Sequence, residues 1–174
     1  MTTTEDREDL LRRLADRAEI ADVLTTYMDR LDRGLFDEMA ELVFTEDAVE
    51  DHGVGRPVVQ GRAAIAHERQ VRHDRTAGAM HVISNILVDF TGDNEANVQS
   101  YIRTYCWLPS DTTGPRPVDY VLIGIFLDRF ARTAEGWRIR HRRRRNLGPS
   151  ALAFGELPDF MAGTGGPREA PTPA

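Results

Sequence analysis

Lysine is absent from this chain: all 22 of its basic residues are arginine. That excludes the chemistries that need a side-chain amine, among them Schiff-base aldolases, pyridoxal phosphate enzymes and Walker-type phosphate loops. Cysteine is nearly absent as well. Cys106 stands alone, so no intramolecular disulfide can form. No stretch approaches the ~20 apolar residues of a membrane span, and the charged stretch from Met1 to Leu14 holds no apolar run resembling a signal peptide. A soluble, cytoplasmic protein with no membrane partner is expected. The motifs G-x-S-x-G, G-x-G-x-x-G, H-E-x-x-H and C-x-x-C are also missing. No cofactor, metal or common nucleophile motif is therefore expected.

What remains is a mildly acidic chain of 174 residues with 28 carboxylates against 22 arginines. The length suits one domain able to bury a sizeable core without staples. The acidic balance argues against a polyanionic partner. The run from Arg138 to Arg145 is basic, yet Ile139 interrupts it and the rest of the chain is carboxylate-rich. It reads as a strand with one solvated, salt-bridged face, and nucleic acid is not an expected partner.

From Glu5 to Arg33 the residues Leu10, Leu14, Ile20, Val23, Leu24, Tyr27 and Leu31 recur mostly at helical spacing, which predicts an amphipathic helix with a break near Ala18. Gly34 stops it, and Leu35 to Val43 reads as a second helix folded back on the first. Phe44 to Asp51 turns into a short strand and Gly53 to Pro57 is a loop; Asp51-His52 could approach the cavity, but a loop location is expected for them. A third helix runs from Gly61 to about Arg72.

Four strand-like runs follow, His81–Phe90, Ala96–Leu108, Val118–Ala131 and Trp137–Arg145, joined by short turns. They predict an antiparallel meander. Tyr120 to Phe126 is apolar on both faces, which suits a covered central strand or an interface between copies, so a homodimer or higher homo-oligomer is expected. The whole is an α+β fold, a cone-shaped barrel in which a curved, mostly antiparallel sheet wraps around three helices. Residues 1–146 form this single domain. Residues 147–174, rich in Gly, Pro and Ala, are expected to form a lid over the cavity mouth followed by a disordered tail.

A cone of this kind has an interior pocket. Asp32 ends the first helix at the edge of the stripe containing Leu24, Met28 and Leu31. His81 opens a strand whose alternate members include Ile83, Asn85 and Leu87. In the following strand the same parity selects Ser100, Ile102, Thr104 and Cys106. Taken singly, an exposed aspartate and a lone histidine are ordinary. Together inside one cavity they make a general base oriented by a carboxylate, with Met28, Asn85, Thr104 and Phe126 as expected contacts to a small hydrophobic substrate.

Tyr27 followed by Asp32, the turn Phe44-Thr45-Glu46-Asp47-Ala48, Gly61-Arg62-Ala63-Ala64-Ile65, the stretch Met80-His81 to Asn85 and the closing Glu135-Gly136-Trp137-Arg138-Ile139 together resemble the SnoaL-like branch of the nuclear transport factor two-like fold. The resemblance covers about Leu10 to Asn146. That branch contains scytalone dehydratase, bile-acid dehydratase and hexachlorocyclohexane dehydrochlorinase. It implies that Asp32 and His81 form a catalytic dyad, that Tyr27 binds the substrate oxygen, and that Arg142 serves the site. Strand parity sets Trp137 and Ile139 on one face and Arg142 on the other, so a β-bulge between them is required.

The implied activity is a cofactor-independent lyase that eliminates water from a hydroxy-carbonyl, polyketide- or steroid-like substrate. A cyclase or isomerase working through the same enolisation step is the alternative. So is a dimer that binds a small ligand without catalysis.

Overall fold

Residues 4–32 contain neither proline nor glycine, and helix α1 (Thr4–Asp32) runs through them without the break expected near Ala18. The computed structural model describes residues 4–53, 56–111, 113–147 and 151–152. Gly34, with φ of 70°, ends α1. The Gly34 amide donates to the Leu31 carbonyl at 3.2 Å and the Leu35 amide to the Arg30 carbonyl at 2.8 Å. This is the paired closure that a left-handed glycine permits. It turns the chain directly into α2 (Phe36–Val43), whose Phe36, Met39, Ala40 and Val43 form one buried stripe. Helix α3 (Arg62–His73) buries Ile65, Ala66 and, unusually, Arg69.

The strands are β1 (Phe44–Asp51), β2 (Val59–Gln60), β3 (Gly78–Phe90), β4 (Glu95–Trp107), β5 (Tyr120–Thr133), β6 (Gly136–Asn146) and β7 (Ala151–Leu152). They lie in the order β2-β1-β6-β5-β4-β3, with β7 pairing to β5. The expected meander is β3 to β6, and every pair in it is antiparallel. Strand β1 joins the far edge of β6 in parallel, a pairing that the run of short turns did not foretell. The curved sheet wraps the three helices, as the α+β reading requires. Of the expected lid and tail, residues 148–150 and 153–174 lie outside the described residues.

Two bulges decide which side chains face inward. In β6 the register against β5 passes from Phe130↔Ile139 to Arg129↔His141, so Arg140 is the extra residue. Trp137, Ile139 and Arg142 are consequently all buried, on both sides of the bulge. In β3 the register slips between Ser84 and Leu87, and Asn85 takes a φ of 51°. Alternation changes phase there, with Ile83 turned to the core before the slip and Val88 and Phe90 after it.

The dry end of the cone is built on Trp137, which is fully buried. Its Nε1–H donates to Asp16 at 3.1 Å, its amide donates to Glu19 at 2.8 Å, and the Arg132 guanidinium lies 4.6 Å over its ring. The first turns of α1 differ: Leu10 is 55% exposed. Trp137→Ala should lower the unfolding free energy by about 3–5 kcal/mol, whereas Leu10→Ala should change it by no more than about 0.5 kcal/mol. Urea titration of the two variants checks both values.

Candidate active site

The cap that ends α1 leaves Asp32 at its last turn, and β3 brings His81 up beside it. His81 Nδ1 lies 2.6 Å from Asp32 Oδ1. The His81 amide also donates to both carboxylate oxygens, at 3.1 Å each. A carboxylate can only accept, so Nδ1 carries the proton and Nε2 is the basic nitrogen of the neutral ring. The His81 side chain is 15% exposed and that of Asp32 28%, so the pair sits at a mouth rather than in sealed core.

The cavity beside the pair is lined by Tyr27 and Leu31 from α1, Phe36 from α2, Arg69 and Arg72 from α3, and Ile102, Thr104, Leu122, Phe126 and Arg144 from the sheet. Thr104 faces His81 directly in register, and Phe126 faces Arg144. These two expected contacts meet Tyr27 and His81 around one space, with Asp32 reaching it through the His81 ring.

Three expected positions fall elsewhere. Met28 is packed in the hydrophobic core and does not reach the cavity wall. Asn85 is exposed, because the β3 bulge turns it out of the face it would share with His81. Arg142 does point inward, through the bulge that parity demanded. It is nevertheless consumed by Asp128, donating from Nε at 2.9 Å and from Nη2 at 2.7 Å. Its guanidinium is stacked 4.0 Å from the Phe126 ring and 4.3 Å from the Tyr27 ring, and it does not line the cavity. Arg144, two residues further along β6, is that strand's arginine on the wall.

A second polar cluster lies behind Tyr27. Arg69 Nε donates to the Tyr27 hydroxyl at 3.1 Å, and Arg69 Nη2 meets both Glu50 and His52 Nε2, the latter at 2.9 Å. Glu50 is fully buried, and His52, expected in a loop, is buried and lines the cavity. Burial alone would raise the Glu50 carboxyl, but Arg69, His52 and Arg142 together outweigh it and hold the carboxyl well below the usual range. Burial lowers the His52 ring below its ordinary value, against the pull of Glu50, which favours the neutral imidazole. An arginine N–H always donates, so Tyr27 accepts from Arg69 and keeps its own O–H for another partner. The alternation of Ala48 and Glu50 along β1, continued by His52 just past its end, was the available signal for this cluster.

No group of three or more His, Cys, Asp or Glu side chains among the described residues is arranged to hold a metal ion. Among the same residues, no helix is long and apolar enough to cross a membrane.

Residues 12–143 match the SnoaL-like domain. The chain belongs to the SnoaL-like family. No curated protein matches it. Among solved structures, this SnoaL-like chain is similar to an NTF2-like protein with a cystatin-like fold from Novosphingobium aromaticivorans, with 28% identity and a TM-score of 0.69 over 87% of this chain and 94% of that one. It is also similar to a putative scytalone dehydratase from the same organism, at 24% identity, TM-score 0.68, and 84% and 98% coverage. A hexachlorocyclohexane dehydrochlorinase from Novosphingobium barchaimii superposes at 18% identity with a TM-score of 0.67, covering 85% and 98%. At these identities the last two show the shared fold.

Glu50→Gln leaves Arg69 buried without its main counter-charge, and a loss of about 3–5 kcal/mol is expected. Because the folded Glu50 titrates below its ordinary 4.5, its contribution is complete above that value and declines as the pH is lowered beneath it. Denaturant titrations of both proteins along a pH series should therefore show the gap between wild type and Glu50→Gln narrowing in acid.

Proposed function

We propose that this protein is a lyase that removes water from a small, largely apolar hydroxy-carbonyl compound, with the Asp32–His81 pair as its general base. The observation that carries this reading is the contact of 2.6 Å between His81 Nδ1 and Asp32 at the mouth of a cavity. His81 Nε2 takes the proton from the carbon next to the substrate carbonyl. The electrons of that C–H bond form an enolate, whose oxygen accepts the Tyr27 O–H. As the enolate collapses, the carbon–carbon double bond forms and the β-carbon–oxygen bond breaks. The departing hydroxide takes the proton held on His81 and leaves as water. The carboxylate of Asp32 stabilises the imidazolium while it carries that proton.

The apolar wall of Leu31, Ile102, Leu122 and Phe126 suits a hydrophobic substrate body. Dehydratase and dehydrochlorinase names among the structural neighbours fit a reaction that begins with proton abstraction. A cyclase or isomerase would share the first step, and departure of water is what separates dehydration from them.

A panel of hydroxy-ketones incubated with the protein in D2O tests the reading in two ways. Absorbance of a conjugated enone reports elimination, and deuterium at the α-carbon reports enolisation. His81→Ala should cut both by about a hundred- to ten-thousandfold, and Asp32→Asn should also be severely impaired. Deuterium exchange that proceeds at the wild-type rate in His81→Ala would sink the assignment of the base.

A further inference from the structure

Four arginines enter the interior, Arg69, Arg72, Arg142 and Arg144, and three of them have carboxylates. Arg69 holds Glu50, Arg72 holds Glu68, and Arg142 holds Asp128. The fourth, Arg144, has none among the described residues. Arg144 lines the cavity with its Nε and Nη2 both buried and without a hydrogen-bond partner among the described residues. Asp32, the remaining acid near the mouth, is engaged by the His81 ring and amide. Burial pushes the Arg144 guanidinium down to about 10, and the neighbouring Arg72 and Arg69 push in the same direction. A guanidinium edge buried in this way calls for an anion, since both the desolvation of its charge and its two unmade hydrogen bonds are unfavourable.

We infer that the cavity receives a ligand bearing a carboxylate, held side-on by the Nε and Nη2 edge of Arg144. The same protein shows what that edge accepts. Two residues earlier on β6, Arg142 uses its Nε and Nη2 to take both oxygens of Asp128, at 2.9 and 2.7 Å. Gly124 faces this part of the wall, and a Cβ there would stand 3.5 Å from Arg144 Nε, so the missing side chain leaves the edge uncovered. A single free guanidinium edge matches a planar monoanion. A phosphate dianion would find the other three arginines committed. The rest of the ligand meets Leu31, Ile102, Leu122 and Phe126. The ligand is therefore amphiphilic, an apolar body ending in a carboxylate.

This inference rests on reading the cavity as the substrate site. It narrows the proposed substrate to a hydroxy-carbonyl compound with a separate carboxylate. The carboxylate is the anchor, because a proton beside a carboxylate is far less acidic than one beside a ketone.

Calorimetric titration with matched acid and amide pairs tests this directly, using trans-cinnamate against trans-cinnamamide and benzoate against benzamide. Wild type should bind the acids roughly tenfold or more tightly than the amides, the scale of a charge-assisted pair. In Arg144→Gln the acids should fall to the level of the amides, with amide binding unchanged. Arg144→Lys, which keeps the charge but loses the planar fork, should lie between. Ligand-free Arg144→Gln should melt no lower than wild type, since it removes an unpaired buried charge. His81→Ala should retain the preference for acids.

Acids and amides binding alike to wild type, no binding of either acid at millimolar concentration, or an undiminished preference in Arg144→Gln would each overturn the inference. Acid preference in wild type and His81→Ala with no elimination of any substrate would sink the lyase reading alone. Elimination from neutral substrates without acid preference would sink the carboxylate site alone.

Discussion

Arg142 and Asp128 face each other across β6 and β5 in the middle of the cone, joined by two hydrogen bonds and with both side chains fully buried. Burying two charges is costly, and such a pair persists only when its geometry is close to ideal. Here the fork is bidentate, and the faces of Tyr27 and Phe126 cover the guanidinium. The arrangement demands that Arg142 point inward, which the bulge at Arg140 makes compatible with inward Trp137 and Ile139. The pair also divides the interior. On one side lie Trp137, Ile139 and Phe130, tightly packed. On the other lie Arg144, Arg69 and His81 around the cavity. Where the core stops being dry is thus decided by one ion pair.

A chain without lysine builds its polar interior from guanidiniums, and this has consequences for rigidity. An arginine presents a planar set of donors, so each partner sits at a defined angle and not merely a defined distance. Arg69 shows the effect: one nitrogen donates to the Tyr27 hydroxyl while another meets Glu50. The orientation of a phenol in α1 is therefore set by a carboxylate in β1. Arg142 presses on the face of the same ring. Tyr27 is consequently held by contacts at its edge and its face, which leaves its hydroxyl proton as the group free to meet a ligand.

The elements of this fold were legible because they depend on local pattern. Helical spacing from Ile20 to Leu31 and glycine at 34 are local, and so are the turns between long strands. Asp32 and His81 could be paired because one ends a helix and the other opens a strand, positions that the order of elements brings together. Arg144 and Asn85 were not legible in the same way. Which residues of β3 and β6 face inward depends on bulges, and a bulge is a compromise between neighbouring strands rather than a property of one. Strand parity needed a bulge to turn Arg142 inward, and that requirement was sound. What parity could not show is that Asp128, directly across the sheet, would claim Arg142 and leave the next inward arginine at the wall. His52 was misplaced for a related reason: the parallel pairing of β1 with β6 orders the edge as far as Asp51, immediately before His52, and that pairing joins residues far apart in sequence.

The ordinary and the catalytic roles of Asp32 turn out to be the same arrangement. Its two oxygens accept the backbone N–H of His81, which ties the end of α1 to β3. One of them also receives the His81 ring. Gly34 closes the helix two residues on, so the carboxylate stands beside the cap that leads into α2. A structural junction that must hold for the helices to stay against the sheet therefore also fixes the imidazole's tautomer and points its free nitrogen away from Asp32. Substituting Asp32 alone cannot separate these effects, since any change that frees the ring also frees the strand. Substituting His81 can, because the backbone amide that holds Asp32 remains when the imidazole is removed. For that reason the chemistry of this site is best read from the histidine, and the stability of the junction from the aspartate.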